Sequence, residues 1–127
     1  MAGRLVPLVM YPRYSSFAGK HPFTTVPLDV TGYSRAVLTC WRGPHNISPG
    51  TGGVLFVCEE STDQQVWVTC AGTNVSFDPG ENTEGVASAE LRRKWFRLKF
   101  NVQADALEQD LARVTCWSVG HLVAREP

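Results

Sequence analysis

The cysteines and histidines are the residues whose types could support nucleophilic or metal chemistry. The four cysteines, at positions 40, 58, 70 and 116, include no C-x-x-C pair, and the three histidines, at 21, 45 and 121, are scattered. A zinc site needs ligands at short, defined spacings, so this pattern indicates none. The cysteines fall within apolar, strand-like runs, which predicts four buried, reduced and unreactive thiols. His45 follows a Gly-Pro pair, but no nucleophile motif accompanies it.

Two adjacent carboxylates, Glu59 and Glu60, end an apolar run. Successive side chains of a strand point to opposite faces, so these two cannot flank one glycosidic bond. We expect them to be solvated strand-end charges. The glycine-rich stretch at 49–53 leads into a strand and therefore lacks the helix N-terminus that a phosphate cradle needs. The sequence predicts neither an enzyme nor a bound metal or cofactor.

The densest basic cluster lies at 92–99, where tryptophan is interleaved with arginine and lysine. A tryptophan among arginines is typical of interface anchors, and this interpretation makes Arg93, Trp95, Arg97 and Lys99 a partner-binding surface. The alternative is a solvated face balanced by acidic side chains, which a formal net charge of zero also permits. If the cluster binds a partner, an acidic protein is favoured over nucleic acid.

Ser61 and Asp63 predict a tight structural turn. Their side chains can accept hydrogen bonds from nearby backbone N–H groups, and Trp67 can then close over the turn.

The candidate residues lie in or beside short runs that are rich in β-branched and aromatic residues. Turn signals separate these runs. The clearest run is 94–102, where Phe96, Leu98 and Phe100 alternate with polar residues, so one face is expected in the core. Further strands are predicted at 35–41, 54–59, 66–70, 74–77, 85–91 and 113–119. No helical crossovers separate them, so we predict an all-β, antiparallel β-sandwich or jelly roll of about 7–8 strands. The helix candidate is 105–111. The repeated Thr-Cys-Trp at 39–41 and 115–117 indicates neighbouring strands, unless it is coincidental.

Residues 1–25 differ in composition from residues 26–127. We expect residues 26–127 to form the β-sandwich domain. The segment 1–25 is rich in proline, aromatic and basic residues, and the first acidic residue is Asp29. Prolines favour an extended arm. Ordering it costs roughly 1–2 kcal/mol of conformational entropy per residue, so the arm needs a surface whose burial offsets that cost. That surface belongs to its own domain or to a neighbour. The expected interface residues of the arm are Arg4, Tyr11, Arg13, Tyr14 and Phe17.

Composition sets the broad class of the protein. With 127 residues, 43% of them hydrophobic and 19% charged, the chain fits one globular domain. The zero net charge disfavours a nucleic-acid binder, and no apolar run is long enough to span a membrane. The N-terminal apolar stretch is interrupted by Pro7, unlike a signal peptide, so we expect synthesis in a cytoplasm.

Several segments resemble small β-sandwich structural proteins of tailed phages and prophages. The similar segments are Ser61–Asp63 followed by Trp67, Trp95–Lys99, and Val26–Tyr33 followed by Val37–Trp41. The resemblance implies a decoration or cement protein on the capsid surface of a virion, bound to the major capsid protein and often trimeric. The alternative is a carbohydrate-binding β-sandwich module, possibly of a phage tail or receptor-binding apparatus, in which tryptophan and tyrosine would form the sugar platform.

Overall fold

The structure, a computed structural model, describes residues 5–18, 23–45, 53–80, 82–103 and 113–125. These residues form eleven strands and no helix; the helix candidate at 105–111 lies outside them. The strands are β1 (Leu5–Ala18), β2 (Phe23–Thr24), β3 (Leu28–Asp29), β4 (Tyr33–His45), β5 (Gly53–Ser61), β6 (Val68–Thr69), β7 (Ala71–Thr73), β8 (Ser76–Phe77), β9 (Thr83–Glu90), β10 (Trp95–Gln103) and β11 (Arg113–Ala124).

The expected count of 7–8 strands is wrong because four strands carry weak sequence signals. β2, β3 and β7 have only two or three residues, too few to show alternation. β1 contains Pro7 and Pro12, which argue against a central strand but are tolerated at the edge of a sheet.

The strands form two antiparallel sheets that pack as a β-sandwich, as predicted. The five-stranded sheet has the order β1-β11-β4-β9-β7. The six-stranded sheet has the order β2-β10-β5-β6, with β3 also paired to β10 and β8 also paired to β5.

The core lies between the sheets and is filled by alternate residues of the long strands. Phe96, Leu98 and Phe100 of β10 are fully buried, as the alternation at 94–102 predicts. Phe56 of β5 packs beside Phe100, with ring centroids 5.7 Å apart. The five-stranded sheet contributes smaller residues to the same core: Ala36, Leu38, Cys40, Ala87, Ala89, Val114, Cys116 and Leu122.

The extended N-terminal segment packs on its own domain through β1. This strand pairs with β11 from Leu5 to Ala18, with an irregularity between Val9 and Tyr11 that brings Met10 and Tyr11 into the core. The Tyr11 hydroxyl donates to the carbonyl of Phe23 at 2.6 Å and lies 3.1 Å from that of Leu98. The surface that covers this part of the chain is therefore supplied in cis.

The repeated Thr-Cys-Trp segments lie on neighbouring strands, which confirms that prediction. β4 pairs with β11 so that Trp41 lies opposite Trp117, and the two rings stack with centroids 5.9 Å apart.

Candidate functional site

The outer face of the five-stranded sheet carries an aligned row of residues that crosses four strands. Val9 pairs with Val119, Val119 with Thr39, and Thr39 with Val86. Paired residues project to the same side of a sheet, and the neighbouring Leu38 is in the core, so this row faces outwards. Val9 is 60% exposed and Val86 50% exposed. We call Val9, Val119, Thr39 and Val86 the apolar row.

Two further register positions on β1 extend this face. Leu5, which is 63% exposed, pairs with Val123, and Pro7 pairs with His121. Contiguous exposed apolar surface marks protein contacts or ligand sites. These residues belong to no motif that predicts a site, although Leu5, Pro7 and Val9 alternate along β1 with the more buried Val6 and Leu8.

The predicted basic surface on the body is largely occupied by internal ion pairs. Arg97 lies opposite Glu59 on the neighbouring strand, and Arg97 Nε is 2.9 Å from Glu59 Oε1. Lys99 Nζ is 3.2 Å from the other carboxylate oxygen. Glu59 is only 7% exposed, so the expectation of a solvated carboxylate is wrong: two cations cover it.

Both tryptophans on this side of the protein lie close to cations. The Arg97 guanidinium is 4.1 Å from the centroid of the Trp67 ring, and Lys94 Nζ is 5.3 Å from that of Trp95. Both rings are half-buried. Cation–π contacts of this kind hold the side chains in place, so Trp67 and Arg97 stabilise each other on the outer side of β10.

The turn after β5 is held by the side chains of Ser61 and Asp63. The Ser61 hydroxyl accepts hydrogen bonds from the N–H groups of Asp63 and Gln64 and lies 3.1 Å from Asp63 Oδ1. Asp63 Oδ1 also accepts from the N–H groups of Gln65 at 2.8 Å and Val66 at 3.0 Å. The backbone N–H groups of Val66 and Gln65 lower the pKa of the Asp63 carboxyl.

Glu60 is the most deeply buried charged residue described, at 1% exposure. Its Oε1 accepts from the N–H groups of Arg92 and Arg93 at 2.9 and 3.0 Å, and its Oε2 is 3.0 Å from Arg93 Nη1. The expectation that it is solvated is therefore also wrong, because three donors replace water at this carboxylate. Glu60 ties β5 to the connection between β9 and β10.

Of the five expected interface residues of the arm, the structure describes the side chains of Tyr11 and Phe17, and both pack towards the core. Tyr11 is buried, and Phe17 packs edge-on against Tyr11 and Phe100 with centroids 5.4 and 4.7 Å apart. Burial is the main cause that raises the pKa of the Tyr11 hydroxyl. Arg13 and Tyr14 belong to β1, but their side chains lie outside the described part of the structure, as does Arg4 altogether.

All four cysteines are free and buried. Burial raises the pKa of the Cys40, Cys70 and Cys116 thiols to about 12 each and raises that of Cys58 as well. A nucleophilic cysteine needs a lowered pKa, so these thiols are structural. Among the described residues, no group of three or more histidine, cysteine or acidic side chains could hold a metal ion.

Comparisons with known proteins supply no family. No protein-family model and no curated protein sequence matches the chain. A solved structure with some similarity is that of a family two carbohydrate esterase from Cellvibrio japonicus, at 7% sequence identity and a TM-score of 0.35. The match covers 97% of this chain and 34% of the esterase, so the chain spans about a third of that protein. At this TM-score the likeness carries no argument about activity. Within the described residues, no helix is long and apolar enough to cross a membrane.

Proposed function

We propose that this chain is a non-enzymatic virion structural protein, a decoration or cement protein that binds the outer surface of a phage head and stabilises it. Its partner is the major capsid protein, and its location is the capsid surface. The observation that carries the proposal is the apolar row, with Val9 and Val86 half or more exposed on the outer face of one sheet. Apolar side chains on three of four neighbouring strands, with Thr39 on the fourth, suit burial against another protein.

The resemblance of the strand and turn segments to small phage β-sandwich proteins supports the same function. It also underlies the proposal that the chain is a homo-oligomer, with a trimer favoured. Size-exclusion chromatography with light scattering measures this state directly, and a trimer has three times the 14.0 kDa mass of the chain.

Co-sedimentation tests the binding surface. Heads of the phage or prophage that encodes this chain, assembled without it, are mixed with purified protein and pelleted. We expect Val9→Glu and Val86→Glu each to reduce the bound fraction, because each buries a charge at the contact. Val66→Glu is the matched control, since Val66 is 67% exposed and follows β5 of the other sheet. Equal binding of all three variants and the unmodified protein would contradict the proposed surface.

The carbohydrate-binding alternative needs two or three coplanar aromatic rings exposed in one groove. Every aromatic side chain that the structure describes is buried or half-buried. The stacked pair of Trp41 and Trp117 is no exception, since Trp117 is 6% exposed. No observation therefore favours the alternative. A glycan array probed with the purified protein tests it separately, and we expect no specific binding.

A further inference from the structure

A cavity of about 240 Å³ lies at one end of the sandwich, where three parts of the chain meet. These are the turn at Val30–Gly32, the connection at Arg92–Lys94 between β9 and β10, and Arg125 after β11. Four of the described residues that line the cavity are cationic and none is acidic. We call this cavity the basic cleft.

The cations are held at the cleft by bonds to the backbone and to the buried Glu60. Its carboxylate fixes the N–H groups of Arg92 and Arg93, and the carbonyl of Lys94 accepts from the N–H of Val30 at 2.8 Å. These bonds fix the backbone from which three successive cationic side chains extend. The backbone of the cleft is therefore organised before any ligand arrives, which lowers the entropic cost of binding.

Arg125 completes the cleft from the end of β11. Its N–H donates to the carbonyl of Gly32 at 2.7 Å, and its Nη2 donates to the carbonyl of Leu91 at 2.9 Å. Both partners are neutral carbonyls, so no described carboxylate offsets the charge of Arg125. A guanidinium has five N–H donors, and the remaining ones have no acceptor among the described residues.

The cations outnumber the carboxylates around the cleft. The ion pairs are Arg92 with Glu90 at 2.6 Å, Arg93 with Glu60 at 3.0 Å and Lys94 with Asp29 at 3.9 Å. Glu90 is shared with Arg35, at 3.8 Å, and Arg125 pairs with no carboxylate in the described part of the chain. Of the four cations that line the cleft, three face a carboxylate and Arg125 faces none, so the described residues leave an excess of one positive charge there.

We propose that the basic cleft binds a tetrahedral oxoanion of the phosphate or sulfate class. The remaining N–H groups of the Arg92, Arg93 and Arg125 guanidiniums match the paired oxygens of such an anion, and its negative charge would offset the excess. The exposed side chains leave the cleft open to solvent: Arg92 is 63% and Lys94 53% exposed. This site is separate from the apolar row and adds to the proposed function.

The test is a titration of the full chain with inorganic phosphate at constant ionic strength, in which NMR chemical shifts of the backbone amides report binding. We expect saturable shifts at the amides of residues 31–32, 92–94 and 125. Arg125→Ala and Arg92→Gln should each weaken phosphate binding about tenfold, the effect of losing a hydrogen bond to a charged group. Phenyl phosphate, a phosphate ester, is the second probe. If it binds as tightly as inorganic phosphate, the cleft accepts an esterified phosphate group; if it does not bind, the cleft accepts only the free anion.

Ser76→Asp is the control for net charge. It lowers the charge by one, as Arg92→Gln does, but Ser76 lies on β8, which pairs with β5 at Val57 in the middle of that strand. We expect it to bind phosphate normally. Unsaturable shifts, equal shifts with chloride, or equal weakening by Ser76→Asp would overturn the site. Tighter binding of a tetraglutamate peptide than of phosphate would overturn the oxoanion assignment.

Discussion

Phe96 lies between the two sheets and is fully buried. Its replacement by alanine removes apolar contacts and leaves a cavity, so we expect Phe96→Ala to lower the free energy of unfolding by about 3–5 kcal/mol. Urea denaturation measures this change. Val66→Ala is the control, because Val66 is 67% exposed and its loss should change stability by less than about 0.5 kcal/mol. Similar values for the two variants would show that the assignment of the inner face of β10 is wrong.

Asp63 couples the stability of the turn after β5 to pH. Its pKa is lowered in the folded protein by the N–H groups of Val66 and Gln65. A carboxyl whose folded pKa is lowered stabilises the fold at pH values above its ordinary pKa of 3.8, and that contribution is lost as the pH falls through the lowered value. We therefore expect Asp63→Asn to reduce stability at neutral pH and to have little effect in strong acid.

Denaturation of both proteins over a pH series measures the contribution of Asp63. Glu84→Gln, at an exposed position of β9, is the control for the loss of one surface carboxylate. If the difference in the free energy of unfolding between the unmodified protein and Asp63→Asn stayed constant with pH, the ionised carboxylate of Asp63 would not be the group that holds the turn.

The four thiols should be unreactive in the folded protein. Burial raises the pKa values of Cys40, Cys70 and Cys116 to about 12, so the thiolate is scarce at pH 8. A disulfide-exchange reagent at that pH should label none of them before unfolding and all four after it, without a reductant. Fewer than four labelled thiols in the unfolded, unreduced chain would instead show disulfides.

At the scale of elements, β1 determines what the N-terminal segment does. Met10 and Tyr11 are in the core, and the Tyr11 hydroxyl bonds to a carbonyl of β2. Deletion of residues 2–22 should therefore unfold or strongly destabilise the protein, since it removes core side chains and exposes the edge of β11. Circular dichroism during heating measures this. An unchanged melting temperature would show that the segment is an independent arm.

The long strands could be predicted from the sequence because their patterns are local. β10 alternates strictly, and the inward set of Phe96, Leu98 and Phe100 follows from a period of two. β1 could not be predicted in this way, because its prolines and its irregularity at Met10 break the pattern. The strands β2, β3 and β7 exist only through pairing with partners distant in sequence.

For the whole molecule, the candidate surfaces depend on which strands become neighbours. The Ser61–Asp63 turn follows from side chains acting on adjacent backbone, so the sequence suffices for it. The apolar row needs the order β1-β11-β4-β9, which joins Val9 to Val86 across most of the chain length. The buried Glu60 likewise needs Arg93, which is 33 residues away. Neither arrangement could be inferred from local spacing.

If the chain is a decoration protein as proposed, a cryo-electron microscopy reconstruction of the heads of the corresponding phage, with and without the bound protein, is the sharpest test. We expect added density on the outer shell, with the five-stranded sheet facing the major capsid protein and Val9 and Val86 at the contact. We also expect the Val9→Glu protein to add much less density than the Val66→Glu protein. An unchanged shell, or density in which this sheet faces solvent, would contradict the proposal.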